Sequence, residues 1–115
     1  MTEVIRGEIW LVNLDPTIGH EIKKSRPATI IQNDIGNKYS PITIIAPITS
    51  QNIDKIYPIE VLLIKKNSGL DKDSKLLLNQ IRAIDKKRLI KKLGKVDEEI
   101  ITKVDEAIKI SLNLK

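Results

Sequence analysis

The sequence predicts an α+β fold: a small antiparallel β-barrel or strongly twisted sheet, closed off by helices. Three observations carry this. The apolar residues are mostly branched aliphatics, with no Phe, one Trp and two Tyr, and such side chains pack well on pleated surfaces. Short apolar runs recur between clusters of turn-forming residues, the spacing of strands in antiparallel succession. The last third changes character, with apolar residues at helical spacing behind acidic capping residues.

The elements follow in order. Residues 7–14, GEIWLVNL, place Ile9, Leu11 and Asn13 on one face and Glu8, Trp10, Val12 and Leu14 on the other. Apolar residues on both faces suit a strand covered on both sides. Pro16 and Gly19 make 15–25 a loop. Residues 26–32, RPATIIQ, form the next strand, with Pro27 at its start, where a missing N–H does least harm. Residues 33–41 are rich in turn formers, and 42–50, ITIIAPITS, form a third strand in which Pro47 implies an edge or a bulge near Thr49. Two more strands, 57–64 and 74–84, flank a polar turn and bring the expected total to five.

Asp85 is placed to cap a short helix, KKRLIKKL, with Gly94 as its stop. Asp97 caps a longer helix to about Leu112, with Glu98 and Glu99 at its positive end. Ile101, Val104, Ile108 and Leu112 make one stripe for packing on the sheet, and Glu99–Lys103 and Asp105–Lys109 are spaced for ion pairing. At 115 residues, with no repeat or linker, the chain is expected to form one domain over 1–115.

Composition excludes several chemistries. Without cysteine there is no disulfide, thiolate metal site or Cys nucleophile, and a single His rules out multi-histidine metal sites within the chain. No apolar run approaches the ~20 residues that span a bilayer, so a soluble cytoplasmic protein with no membrane partner is expected. The net charge of +5 favours an anionic partner or simply a soluble lysine-rich surface. No phosphate-cradling glycine loop and no nucleophile elbow is present. A reaction whose nucleophile belongs to the substrate suits what remains. RNA cleavage by its own 2′-OH asks the protein only to position the strand, move protons and stabilise a phosphorane.

The candidate residues fit that reaction, each beside a plainer reading. Arg26 offers a planar fork matched to phosphate oxygens, stiffened by Pro27, or is an ordinary arginine at a strand start. Thr49 can hold a non-bridging oxygen, or is simply a good sheet former. Glu21 can act as a base or orient Arg26, or is an exposed loop glutamate that does neither. His20 has the most useful ordinary pKa for proton transfer, or is an incidental loop histidine. Lys23 and Lys24 add phosphate attraction, or are solvated. Asn79 and Gln80 alternate with Arg82, and the Gln80 amide can read a base edge, or lies on a wet strand face. Scarce aromatics count against modules that rely on base stacking.

Taken together, RGEIWLVNLDPTIGHE, SRPATIIQNDIGN, ITIIAPITSQ and LLLNQIRAIDKKRL resemble the MazF/PemK/Kid toxin family, and within it the Gram-positive MazF (EndoA) branch. The resemblance runs over nearly the whole chain, including VDEAIKISL near the end. Gly19, Glu21, Arg26 and Pro27 meet the signature G-x-E-x4-R-P, and Thr49 is the strand-borne threonine. It implies an SH3-like, CcdB/MazF-type β-barrel with a short helix and a C-terminal helix, working as a homodimer without cofactor or metal. The implied activity is sequence-specific cutting of single-stranded RNA to 2′,3′-cyclic phosphate and 5′-OH ends. Arg26 and Thr49 match the catalytic pair, with Glu21 in support. The loop with His20, Lys23 and Lys24, together with Ser50, Asn79 and Gln80, matches the RNA-contacting surface. The implied partner is a MazE-like antitoxin whose acidic disordered tail lies in the same groove; DNA is met only through that antitoxin. CcdB-like toxins of the same fold instead poison DNA gyrase by protein contact, without any use for the Arg26–Thr49 pair. Two positions depart from the family pattern: Ile22-Lys23-Lys24 replaces Gln and small residues, and His20 replaces a common serine.

Overall fold

The computed structural model describes residues 2–15, 19–20 and 25–115. Seven strands and two helices are seen among them. In chain order they are β1 (Glu8–Asn13), β2 (Ser25–Ile30), α1 (Asp34–Tyr39), β3 (Ile42–Thr49), β4 (Glu60–Leu63), β5 (Ser74–Leu77), β6 (Arg82–Asp85), β7 (Leu89–Lys95) and α2 (Glu98–Leu112). All pairings are antiparallel, along the path β4-β5-β3-β2-β1-β7, with β6 joined to β3. The ladder does not close on itself, since its end strands β4 and β7 are unpaired with each other. The expected α+β class holds, with more strands and an open path.

Alternation along the strands builds two apolar clusters, one on each face. Ile9, Ile31, Ala46, Ile48, Leu76 and Leu78 pack against Val104 and Ala107 of α2. Val12, Leu14, Ala28, Ile30, Ile45 and Ile84 gather on the other face with Val4, and Trp10 and Leu89 pack against them. Each such fully buried aliphatic side chain contributes about 1.5–3 kcal/mol. The apolar residues on both faces of β1 are therefore both used.

Helix α2 begins as expected, the Asp97 carboxylate accepting from the Ile100 amide at 2.9 Å. Val104 faces the core, but Leu112 at the end of the predicted stripe is exposed. Lys103 pairs with Glu99 at 3.8 Å. The expected Asp105–Lys109 pair does not form: Arg6 takes Asp105 at 2.6 Å and Lys109 lies 3.6 Å from Glu106. A partner from the distant N-terminus won over the i,i+4 neighbour.

Four further expectations are corrected. Residues 33–41 contain α1 rather than only a turn, because Asn33 caps Gly36 at 2.8 Å and buried Asn37 ties the helix down. Asn37 accepts from Thr43 Oγ1 at 2.7 Å and donates to the Gln32 carbonyl at 2.9 Å, while the buried Lys86 ammonium donates to its carbonyl. Residues 86–93 are not a helix. Asp85 caps as predicted, with its carboxylate 2.8 Å from the Lys87 amide, but only a 3-10 turn over Lys86–Arg88 follows, and the chain then extends as β7 along β1. The open edge of β1 outweighs helix propensity there, so the short helix is α1 instead. Of the edge or bulge expected at Pro47, the edge is absent, since β3 is flanked on both sides, and the irregularity lies in the partner chain where β5 gives way to β6. The run 74–84 is not one strand but two lying end to end along β3.

The β1–β7 contact carries a buried carboxylate. Glu8 accepts from the Ile5 amide at 2.8 Å and the Trp10 indole at 3.2 Å, and pairs with Lys92 at 2.7 Å. Burial pushes its pKa up, but the Lys92, Ile5 and Trp10 hydrogen bonds and the Lys92 charge together hold it below the ordinary 4.5. A depressed carboxylate stabilises the fold above its ordinary pKa and ceases to as pH falls through the lowered value. Glu8→Gln is therefore expected to cost about 1–2 kcal/mol at pH 7. The deficit should shrink progressively as the pH falls below 4.5, measured as urea midpoints of both proteins at pH 7 and pH 3.

Candidate functional site

The β2–β3 ladder is registered by Ala28↔Pro47, Thr29↔Ala46 and Ile30↔Ile45, and it stops there. The same register carried two residues further sets Pro27 opposite Ile48 and Arg26 opposite Thr49. Pro27 lacks an N–H, so a donor towards β3 is missing where the two strands part. Arg26 is half-buried and remains paired on its other side, to Val12 of β1. Thr49 is buried at 7% exposure, and its Oγ1 accepts from the Gln51 amide at 3.2 Å.

The parting strands border a cleft of about 370 Å³. Pro27 and Ile48 line it, with Arg26, Ser50, Lys72 and Lys91 supplying polar and cationic groups and Asp71 one carboxylate. Arg26 thus borders the cleft, while Thr49 does not line it and Ser50 does. Lys72 and Lys91 were not apparent from sequence. Lys91 falls in the run expected to be helical, and only the Leu11↔Lys91 register of β1 and β7 brings it near.

Asn79 and Gln80 stand at a break in the sheet. Between the Ile48↔Leu76 and Ile45↔Arg82 pairs, β3 advances three residues and its partner six. The surplus is thrown out opposite Pro47, whose missing N–H leaves that side of β3 without a donor. Leu78 turns inward, its amide donating to the Ile59 carbonyl at 3.1 Å and its carbonyl accepting from Ser111 Oγ at 3.1 Å. Asn79 is exposed and Gln80 half-buried, its amide on the Leu77 carbonyl at 3.2 Å. The pair lies beside Pro47, two residues before Thr49 on β3.

His20 is exposed in a turn beside Gly19. Glu21, Lys23 and Lys24 lie outside the described residues, as does Ile22. The stem of that loop is held by two arginines. Arg82 Nη1 donates to the Leu14 carbonyl at 3.2 Å, so Arg82 is half-buried rather than on a wet face. Arg88 Nη1 donates to the Asn13 carbonyl at 3.1 Å and also to that of Asp15. Among the described residues, no group of three or more His, Asp or Glu side chains is gathered to hold a metal ion, and no helix is long and apolar enough to cross a membrane.

An open antiparallel sheet with one long C-terminal helix is also the fold of solved MazF structures. The chain superposes on the crystal structure of MazF from Deinococcus radiodurans with a TM-score of 0.83 at 23% identity, covering 99% of this chain and 100% of that one. It superposes on an endoribonuclease in complex with its cognate antitoxin from Mycobacterial species with a TM-score of 0.81 at 19% identity, covering 97% of each. Residues 5–112 match the model of the PemK-like, MazF-like toxins of type II toxin-antitoxin systems. The chain is also 46% identical over 111 residues, 96% of each protein, to the endoribonuclease EndoA of Bacillus subtilis. The chain belongs to the PemK-like, MazF-like toxin family.

Proposed function

We propose that this protein is a toxin whose single domain, 1–115, cuts single-stranded RNA at specific sequences without a metal ion. The observation that supports this most is the β2–β3 register, which, carried two residues past its last pair, brings Arg26 level with Thr49. The near-full-length likeness to a protein named endoribonuclease EndoA supports it independently.

In this reading the ribose 2′-oxygen attacks the adjacent phosphorus. The bond from phosphorus to the 5′-oxygen breaks and that oxygen takes a proton from water, leaving a 2′,3′-cyclic phosphate and a 5′-OH. Arg26 presents its fork to the equatorial oxygens and stabilises the phosphorane charge. A guanidinium stays protonated, so Arg26 acts as a fixed cation. The Thr49 oxygen already accepts from Gln51, which leaves its own proton to donate to a non-bridging oxygen. Glu21 supports the pair as the carboxylate nearest in sequence, receiving the 2′-OH proton. His20, Lys23 and Lys24 on the β1–β2 loop, Ser50 in the cleft, and Asn79 and Gln80 on the bulged-out segment bind the flanking nucleotides. The protein works in the cytoplasm as a homodimer. An acidic antitoxin tail competes for the same basic groove; one structural relative is an endoribonuclease in complex with its cognate antitoxin.

Incubation with a long RNA in EDTA is expected to give discrete fragments ending in cyclic phosphate. A single deoxyribose at the scissile position should block that cut. Cleavage that EDTA abolishes, or that proceeds at the deoxyribose, would overturn the reading.

A further inference from the structure

Lys75 is 4% exposed and stands directly opposite Thr49 in the β3–β5 ladder. Its ammonium has three protons, and three acceptors meet them. Glu60 Oε1 lies at 2.9 Å, the Asn52 carbonyl at 3.1 Å and the Lys55 carbonyl at 3.3 Å. Glu60 is equally enclosed, and its Oε1 also accepts from the Tyr57 amide at 3.0 Å. Two of these partners are carbonyls of the segment that follows Thr49, so the ion pair does more than join β4 to β5. It gathers residues 50–57 around one buried charge, with Asn52 held at φ 52, a left-handed turn that asparagine tolerates.

The product of this gathering is an aromatic surface beside the site. Tyr57 remains 50% exposed, with Lys75 Nζ 5.9 Å and Lys55 Nζ 5.0 Å from its ring centroid. A half-exposed ring next to two lysines, near the strand end that carries Thr49, is a surface for an RNA base and the phosphate beside it. Of the three aromatic residues in the chain, Tyr39 and Tyr57 are exposed, and Tyr57 is the one tied to this strand end, through Lys75.

We propose that Lys75 is a positioning residue for RNA recognition: with Glu60 it clasps residues 50–57 so that Tyr57 stacks on the base flanking the scissile bond. This rests on the ribonuclease reading above and names the part of the site that selects sequence.

The test replaces the pair by apolar side chains of similar length, Lys75→Met with Glu60→Met. A buried ion pair exchanged for well-packed apolar groups usually leaves stability unchanged or raised. The double variant is therefore expected to melt like the wild type, while amide exchange over 51–57 accelerates. For the preferred RNA, KM should rise on the order of tenfold with little change in kcat at saturation, the loss expected of one stacked base. Tyr57→Ala should raise KM to the same degree in the wild type and add little in the double variant, because both changes remove one contact. Tyr57→Phe should keep the wild-type KM. Should the double variant fail to fold, the two Tyr57 variants still decide. A folded double variant with wild-type KM and cleavage pattern, or Tyr57→Ala with unchanged KM, overturns the clasp while the ribonuclease reading stands. A wild-type protein that leaves RNA uncut overturns that reading and the clasp with it.

Discussion

Arg26→Ala is expected to slow RNA cleavage by about 10²–10³-fold, the scale of losing one preorganised charge at a developing anion. The fold should survive, since the residue is half-buried at the frayed end of a ladder and such substitutions cost about 1 kcal/mol. Single-turnover cleavage of a short RNA, measured beside the thermal midpoint, separates the two effects. Arg26→Lys should recover only part of the rate, because a point charge does not reproduce a planar two-pronged donor. Thr49→Val, which keeps the shape and removes the hydroxyl, should also slow the chemistry. The pair should then fall short of additivity, as expected of groups acting on one transition state. An Arg26→Ala protein that cuts RNA at the wild-type rate would remove Arg26 from the mechanism.

Gly94→Ala is expected to be the most damaging single-methyl addition in the fold. A Cβ at that position would lie 2.3 Å from the Ser68 carbonyl oxygen, and one at Gly69 would lie 2.5 Å from the Leu93 carbonyl oxygen. The obstacle is backbone in both cases, so no side chain can swing aside. Gly69 also holds φ +78, where any other residue is strained. These two glycines let the turn after β4 cross directly over β7, joining the two ends of the open sheet path. Either substitution should cost about 3 kcal/mol or more, which corresponds to a loss of roughly 10–20 °C in midpoint for a chain of this size. Both positions adjoin the cleft that Arg26 borders, so a variant that still folds should also bind RNA less tightly. Midpoints within a degree or two of the wild type would show that the crossing tolerates a wider separation.

Much of the fold was legible because local rules and packing agreed. The Asp97 cap, the strand at 26–32 with Pro27 near its start, and the two-faced apolar pattern of β1 all appear where periodicity and capping chemistry put them. The failures occur where a distant partner outbid a local preference. KKRLIKKL has a capping aspartate and helix-forming residues, yet it extends because β1 needs a neighbour on its outer edge. Asp105 ignores Lys109 because Arg6 arrives from the other end of the chain. The apparent single strand 74–84 breaks because Pro47 of β3 offers no donor in the middle of its run.

The site divides in the same way. Arg26, Thr49, Asn79 and Gln80 were chosen from the sequence by chemistry and by family resemblance. Lys72, Lys91, Lys75 and the loop-stem arginines Arg82 and Arg88 were not. Their importance depends on which carbonyls, strands and clefts they reach, and sequence separation hides that. By itself the sequence determined the class of fold, the polar chemistry available and the absence of thiol chemistry, because these depend on residue type and short spacing. Only the tertiary structure decided that the β2–β3 register brings Arg26 level with Thr49, that the cleft opens beside Pro27 where the strands part, and that Lys75 gathers the following loop. Those follow from register between strands far apart in the chain, which is set by packing both faces of the sheet at once.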